Sequence, residues 1–172
     1  PDRQRDPDEP VDGWLRANDV VLITGGAGDV GLPLARRVVS RGATVILLGR
    51  RAEAPPKAAA FLAENPDLVR YVSADVTDAS SLNSALSKQP AVTVLVHGAG
   101  VLADGPIEQV DFEIGRVCRA VKWMGWLNAL RTCRGRLRVA MALGSWAGRM
   151  GNANQTHYAA GNALMAAVTS SV

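Results

Sequence analysis

The sequence predicts an α/β fold, a doubly wound parallel sheet, and three observations carry that prediction. Short apolar runs alternate with longer segments of helical pattern from Val20 onward. Strands buried on both faces read as such continuous apolar runs, and this alternation builds a parallel sheet with helices on both sides. A glycine cluster lies between the first run and the first helical segment, where a strand must turn tightly into a helix.

The elements follow in order. Pro1 to Pro10 is charged, proline-rich and almost free of apolar side chains. It buries too little surface to offset the entropy of ordering it. Residues 1–19 are therefore read as a linker or tail, and 20–172 as the domain; a linker at the start is expected of a piece of something longer. The first strand is Val20–Thr24. The helix at about 30–41 has Pro33 in its first turn, where a missing N–H is harmless, and Gly42 as its stop. Strands at 44–48 and Val69–Ser73 flank a helix at about 56–65, and a helix at about 79–88 follows. Residues 92–97, 112–132, 137–143 and 156–171 complete the alternation as strand, helix, strand and helix. The expected order is 3-2-1-4-5. Residues 137–143 are apolar on both faces, so an interior strand is expected, with chain beyond Val172 covering its outer edge.

Composition narrows the function. The 172 residues are 48% hydrophobic and 20% charged, enough for one domain with a real core. The net charge is +3, and no Lys/Arg run exceeds the pairs Arg36-Arg37 and Arg50-Arg51. A nucleic-acid groove is not expected from that. Cys118 and Cys133 form no CxxC, and His97 and His157 are the only histidines. Free thiols, no metal site and a cytoplasmic setting follow. No apolar stretch approaches the roughly 20 residues of a membrane span, and the start carries no signal-peptide pattern.

The glycine cluster is Thr24-Gly25-Gly26-Ala27-Gly28-Asp29-Val30-Gly31. Glycines at this turn let the backbone approach a pyrophosphate at the helix N-terminus. A tight turn alone also uses glycine, but the position after the first buried strand favours a dinucleotide. Asp29 either caps the helix or places negative charge near the phosphate. An NAD site carries an acid at the tip of the second strand for the ribose 2′-OH. Here the tip is Leu48-Gly49-Arg50-Arg51, with Glu53 too late. Two guanidinium groups suit a 2′-phosphate, so NADPH is expected. Asp75-Val76 follows the third strand, where a carboxylate reaches an adenine amino group or simply closes a turn. Ala99 and Gly100, after the fourth strand, let the backbone approach the cofactor; His97 is expected as a packed strand-end residue.

The stretches VLITGGAGDVG, LVHGAGVLADG and SWAGRMGNANQTHYAAGNAL, taken together from about Val20 to the end, resemble ketoreductase domains of modular polyketide synthases. These belong to the short-chain dehydrogenase/reductase superfamily, with a Rossmann-like sheet. Ser145 and Tyr158 look like that superfamily's Ser…Tyr pair. A lysine usually follows the tyrosine by four residues; here Asn162 stands there and Lys122 lies upstream, an exchange characteristic of these ketoreductases. The resemblance implies NADPH-dependent reduction of a β-ketoacyl thioester on an acyl carrier protein, inside a larger synthase. Tyr158 would donate the proton, Ser145 would hold the carbonyl oxygen, Lys122 would tune Tyr158 and hold the nicotinamide ribose, and Asn162 would order the site or a relay water. Lowering a phenol from its usual pKa of about 10 by a neighbouring cation makes sense of the types.

Each residue also has a plain role: Lys122 on a solvated face, Ser145 as a turn cap, Tyr158 in a core. Two departures stand out. Leu102-Ala103-Asp104 replaces the Leu-Asp-Asp of one stereochemical class, and Met150 stands where the other class has tryptophan. The family's last strands and lid are also expected to be missing. Two other readings stay open: a catalytically incompetent, scaffolding fragment that binds nucleotide or partners, and a sugar-nucleotide epimerase of the same superfamily, which would keep lysine at 162.

Overall fold

The computed structural model describes residues 13–170. In chain order the elements are β1 (Val20–Thr24), α1 (Gly31–Val39), β2 (Thr44–Gly49), α2 (Pro56–Glu64), β3 (Val69–Ser73), α3 (Ala79–Leu86), β4 (Val94–His97), α4 (Phe112–Cys133), β5 (Val139–Ala142), α5 (Ala147–Met150) and α6 (Thr156–Thr169). The sheet is parallel, in the order β3-β2-β1-β4-β5, as the alternation predicts.

Strand periodicity sorts the core into two layers. Val21, Ile23, Val45, Leu47, Val94 and Val96 face one way, against Leu32, Ala35 and Val38 of α1 and Phe61 of α2. Leu22, Ile46, Leu48 and Leu95 face the other, against Leu82 of α3, Val121 and Trp126 of α4 and Met165 of α6. Trp126 is 1% exposed, and Trp123 packs on the same layer. Both tryptophans therefore serve the sheet.

Three features depart from the sequence reading. The tail assigned to residues 1–19 stops short of its end: Leu15 is buried, Trp14 packs beside it, and the Asp19 carboxylate accepts from Arg16 N, Thr93 Oγ1 and Arg138. A lone apolar pair in a polar stretch is enough to anchor that segment once the sheet provides a floor. Pro1 to Pro10, read as linker, lies outside the described residues. The last strand is also shorter than 137–143 and only partly buried, because β5 pairs with β4 alone among the described residues. A short helix, α5, was not expected; four residues are too few to show a helical period.

Candidate active site

The site lies at the C-terminal edge of the sheet, where β1 and β4 part toward helices on opposite faces. Gly25 has φ +68°, and a Cβ on it would come within 3.0 Å of the backbone of Gly98 and Ala99. At Gly31 a Cβ would stand 2.6 Å from the Gly25 carbonyl oxygen and from Gly26 Cα. Only glycine fits either place. The turn is closed by Gly25 N–H to Leu48 O at 2.8 Å and Gly28 N–H to Gly25 O at 3.0 Å. No side chain caps α1. Asp29, one candidate for that cap, is fully exposed with Lys57 Nζ 4.0 Å away.

Gly25, Gly28, Asp29, Val30 and Gly31 line a cavity of about 780 Å³. Arg50 and Arg51 line it as well, and so do Lys122 and Tyr158. An adjoining recess of about 110 Å³ is walled by Leu48, Ala74, Val76, Ala99, Gly100, Val101 and Val121. The cradle fits a dinucleotide: a glycine turn that no Cβ could enter, cations beside it and an apolar recess next door.

Two of the residues expected at the cofactor also hold partners within the chain. The Thr24 side chain is buried and turns inward: its hydroxyl meets His97 Nδ1 at 2.8 Å and accepts from Ala99 N–H at 3.2 Å. Asp75 Oδ1 accepts from Thr77 N–H and Thr77 Oγ1, both at 2.8 Å, closing a turn between Ala74 and Val76 of the recess. Asp78 caps α3, accepting from Ser80 and Ser81. His97 is fully buried, as a packed strand-end residue should be. A carbonyl can only accept, so the 3.1 Å contact with Val121 O puts the ring proton on Nε2. Burial, then the Lys122 charge, lowers the His97 pKa to about 4, so the ring is neutral.

Tyr71 is a residue that the sequence reading missed. Its hydroxyl donates to the Arg51 carbonyl at 2.9 Å, and its ring lines the cavity. The signal was pairing: β3 lies beside β2, with Tyr71 opposite Leu47. Tyr71 thereby braces the tip that carries both arginines.

Helix α6 packs along α4. Gly161 permits the approach, since a Cβ there would lie 3.1 Å from Arg119 Cα. Lys122 is 3% exposed, and its Nζ donates to Leu143 O at 3.0 Å. Burial lowers its pKa. A Cβ at position 100 would crowd Lys122 Cε at 3.3 Å, so Gly100 gives that side chain its channel. Asn162 is 2% exposed; its Nδ2 donates to Tyr158 O at 2.8 Å, and its Oδ1 is buried without a protein partner. Ser145 sits in the turn between β5 and α5, with Oγ accepting from Ala147 N–H at 3.2 Å. The turn before α6 is tied down by Gln155, whose Nε2 donates to both Asp104 oxygens at 3.1 and 3.2 Å. The structure thus gathers Lys122, Tyr158 and Asn162 on two facing helices, with Ser145 on the adjoining turn.

A family model described as the KR domain matches residues 19–171. Among curated proteins, the chain is 33% identical over 164 residues to a naringenin synthase of Pestalotiopsis fici, covering 90% of this chain and 6% of that protein. It is 35% identical over 156 residues to polyketide synthase GfsA of Streptomyces halstedii, covering 86% of this chain and 2% of that one. Among solved structures, a ketoreductase domain from the bacillaene assembly line superposes with TM-score 0.83 at 28% identity, over 91% of this chain and 40% of that one. The ketoreductase from the first module of phoslactomycin biosynthesis in a Streptomyces gives TM-score 0.78 at 34% identity, over 88% and 37%.

Proposed function

Because the chain belongs to the KR domain family of polyketide synthases, within the short-chain dehydrogenase/reductase superfamily, we propose that it carries the catalytic residues for NADPH-dependent reduction of a β-ketoacyl thioester to the β-hydroxyacyl product. One observation carries the reading: a single cavity joins the glycine turn and paired arginines to Tyr158 and Lys122. The cofactor, when bound, supplies a hydride to the ketone carbon.

The chain's own residues do the rest. The glycine turn and the start of α1 hold the pyrophosphate. Arg50 and Arg51 hold the 2′-phosphate, and Val76, Ala99 and Gly100 shape the recess for the adenine half. Tyr158 gives its phenolic proton to the carbonyl oxygen as negative charge grows there. Ser145 Oγ–H, free to donate while it accepts from Ala147, steadies the same oxygen. Lys122 favours the phenolate left behind and reaches the nicotinamide ribose. Asn162 Oδ1 orders a water that returns a proton to Tyr158. Residues 20–172 act as the NADPH-binding unit, with an acyl carrier protein and neighbouring synthase domains as partners. Among the described residues no helix is long and apolar enough to cross a membrane, and we place the reaction in the cytoplasm.

The test is NADPH oxidation by the intact protein that carries this chain, with a β-ketoacyl thioester as substrate. Hydroxyacyl product that depends on Tyr158 supports the reading. Tight cofactor binding with no ketone reduction on any thioester overturns it.

A further inference from the structure

We propose that His157 is a positioning residue, setting the approach of Tyr158 to Lys122 by accepting a hydrogen bond from Arg119 across the seam between α4 and α6. The proposal rests on the ketoreductase reading, in which His157 has no part of its own.

The chemistry of the contact fixes its direction. A guanidinium carries only donors, so Arg119 Nη1 at 2.6 Å from His157 Nδ1 requires a lone pair on Nδ1. The ring is then the neutral Nε2–H form. It is also gripped from the other side. Gly115 lies one turn before Arg119 on α4, and a Cβ there would stand 2.5 Å from His157 Cδ2 and Nε2. The imidazole therefore occupies the space that a side chain at 115 would fill.

Placement makes this contact matter. His157 is joined by a peptide bond to Tyr158, and Arg119 lies one helical turn before Lys122. The contact sets the rotation and rise of α6 against α4 where Lys122 Nζ lies 5.9 Å from the Tyr158 ring centroid. Gly161 on Arg119 Cα is a close approach without direction; the Arg119–His157 bond has direction. Two acids of this region have partners of their own: Asp104 accepts from Gln155, and Glu113 from Arg116.

The experiment uses the intact protein with His157→Leu, which keeps apolar bulk without an acceptor, and His157→Asn, whose amide oxygen can accept from Arg119. Turnover, the NADPH dissociation constant, and the ionisation of Tyr158 followed by NMR of isotope-labelled tyrosine are measured for each. In the leucine variant kcat is expected to fall roughly ten- to hundredfold, the range a small misplacement costs. Cofactor affinity should stay within about twofold (under ~0.5 kcal/mol), and Tyr158 should ionise at higher pH. Asparagine is expected to restore most of the turnover and the ionisation midpoint. Parental turnover with leucine, equal impairment by leucine and asparagine, or an unmoved Tyr158 midpoint each overturns the proposal. If the leucine variant does not fold, Gly115→Ala serves, because it pushes the ring off Arg119; parental turnover there is equally fatal. A parental protein that reduces no ketone would instead remove the ketoreductase reading, and the Tyr158 midpoint still decides the role of His157.

Discussion

Lys122 Nζ lies 5.9 Å from the centroid of the Tyr158 ring, at the end of a side chain that is almost wholly buried. A buried ammonium is costly to keep charged, and burial lowers its pKa accordingly. The Leu143 carbonyl, accepting from Nζ at 3.0 Å, offsets part of that cost.

Replacing Tyr158 by Phe tests the acid directly. Ketone reduction is expected to drop about 10²–10⁴-fold, the usual contribution of a positioned general acid, while NADPH still binds. Stopped-flow turnover and a fluorescence titration of the same sample make the comparison. A variant reducing ketone near the parental rate would take Tyr158 out of that role.

Arg50→Ala is expected to weaken NADPH and leave NADH almost unchanged. A charged hydrogen bond contributes roughly 1.5–3 kcal/mol, so the NADPH dissociation constant should rise about tenfold or more. Equal weakening of both cofactors in a binding titration would place the 2′-phosphate elsewhere.

Tyr71→Phe removes only the hydroxyl that holds the Arg51 carbonyl. The expected loss in NADPH affinity is smaller, several-fold, in line with about 1 kcal/mol for a neutral hydrogen bond. Isothermal titration with both cofactors checks it: an unchanged NADPH-to-NADH ratio would show that the arginine tip needs no brace.

Gly31→Ala acts on a different part of the cradle. The added methyl meets backbone atoms at 2.6 Å, which cannot swing aside as a side chain could. Both cofactors should lose affinity together, in contrast to Arg50→Ala. Retained binding of either one in the same titration would show that the turn opens more easily than its packing implies.

His97 gives a pH signature. Its folded pKa is about 4 against 6.5 for the free side chain. The unfolded chain thus takes up a proton first as pH falls. The stabilising effect of the neutral ring is complete above about 6.5 and is lost as pH falls through about 4, up to about 3 kcal/mol in all. Urea midpoints should decline across that window, and His97→Gln should flatten this part of the profile. An equal decline in the variant would assign the acid sensitivity to other groups.

The parts of this molecule that could be read from its sequence are local ones. The glycine turn, the arginine tip and the strand order rest on spacing within a segment or on rules of chain connection. Lys122, Tyr158 and Asn162 were legible through resemblance, since nothing in the spacing alone says that α4 and α6 lie side by side. The parts played by Tyr71, His157, Arg119 and Gln155 were missed for the same reason. Each acts on a group brought to it by a neighbouring element, and no local period records that meeting. Thr24 and Asp75 were read at the cofactor from where they stand in the chain, and their partners within the chain came only with the structure. Leu15 was hidden in a polar stretch, and the partly buried state of β5 reflects its single pairing among the described residues rather than its composition.

The inward-facing Thr24 hydroxyl has a consequence for anyone building chimeras from such domains. Ala99 N–H donates to Thr24 Oγ1, Thr24 Oγ1–H donates to His97 Nδ1, and His97 Nε2–H donates to Val121 O. Every proton in that series points one way, and the series ties β1 to β4 and β4 to α4. A crossover point between residues 24 and 97 inherits the hydroxyl from one parent and the imidazole from the other. A parent with a different pair at these positions then leaves a buried donor or acceptor unmet, at a cost of about 1–3 kcal/mol. Crossovers before residue 19 or after residue 122 carry this series across intact, so a loss of fold there would have to come from other contacts.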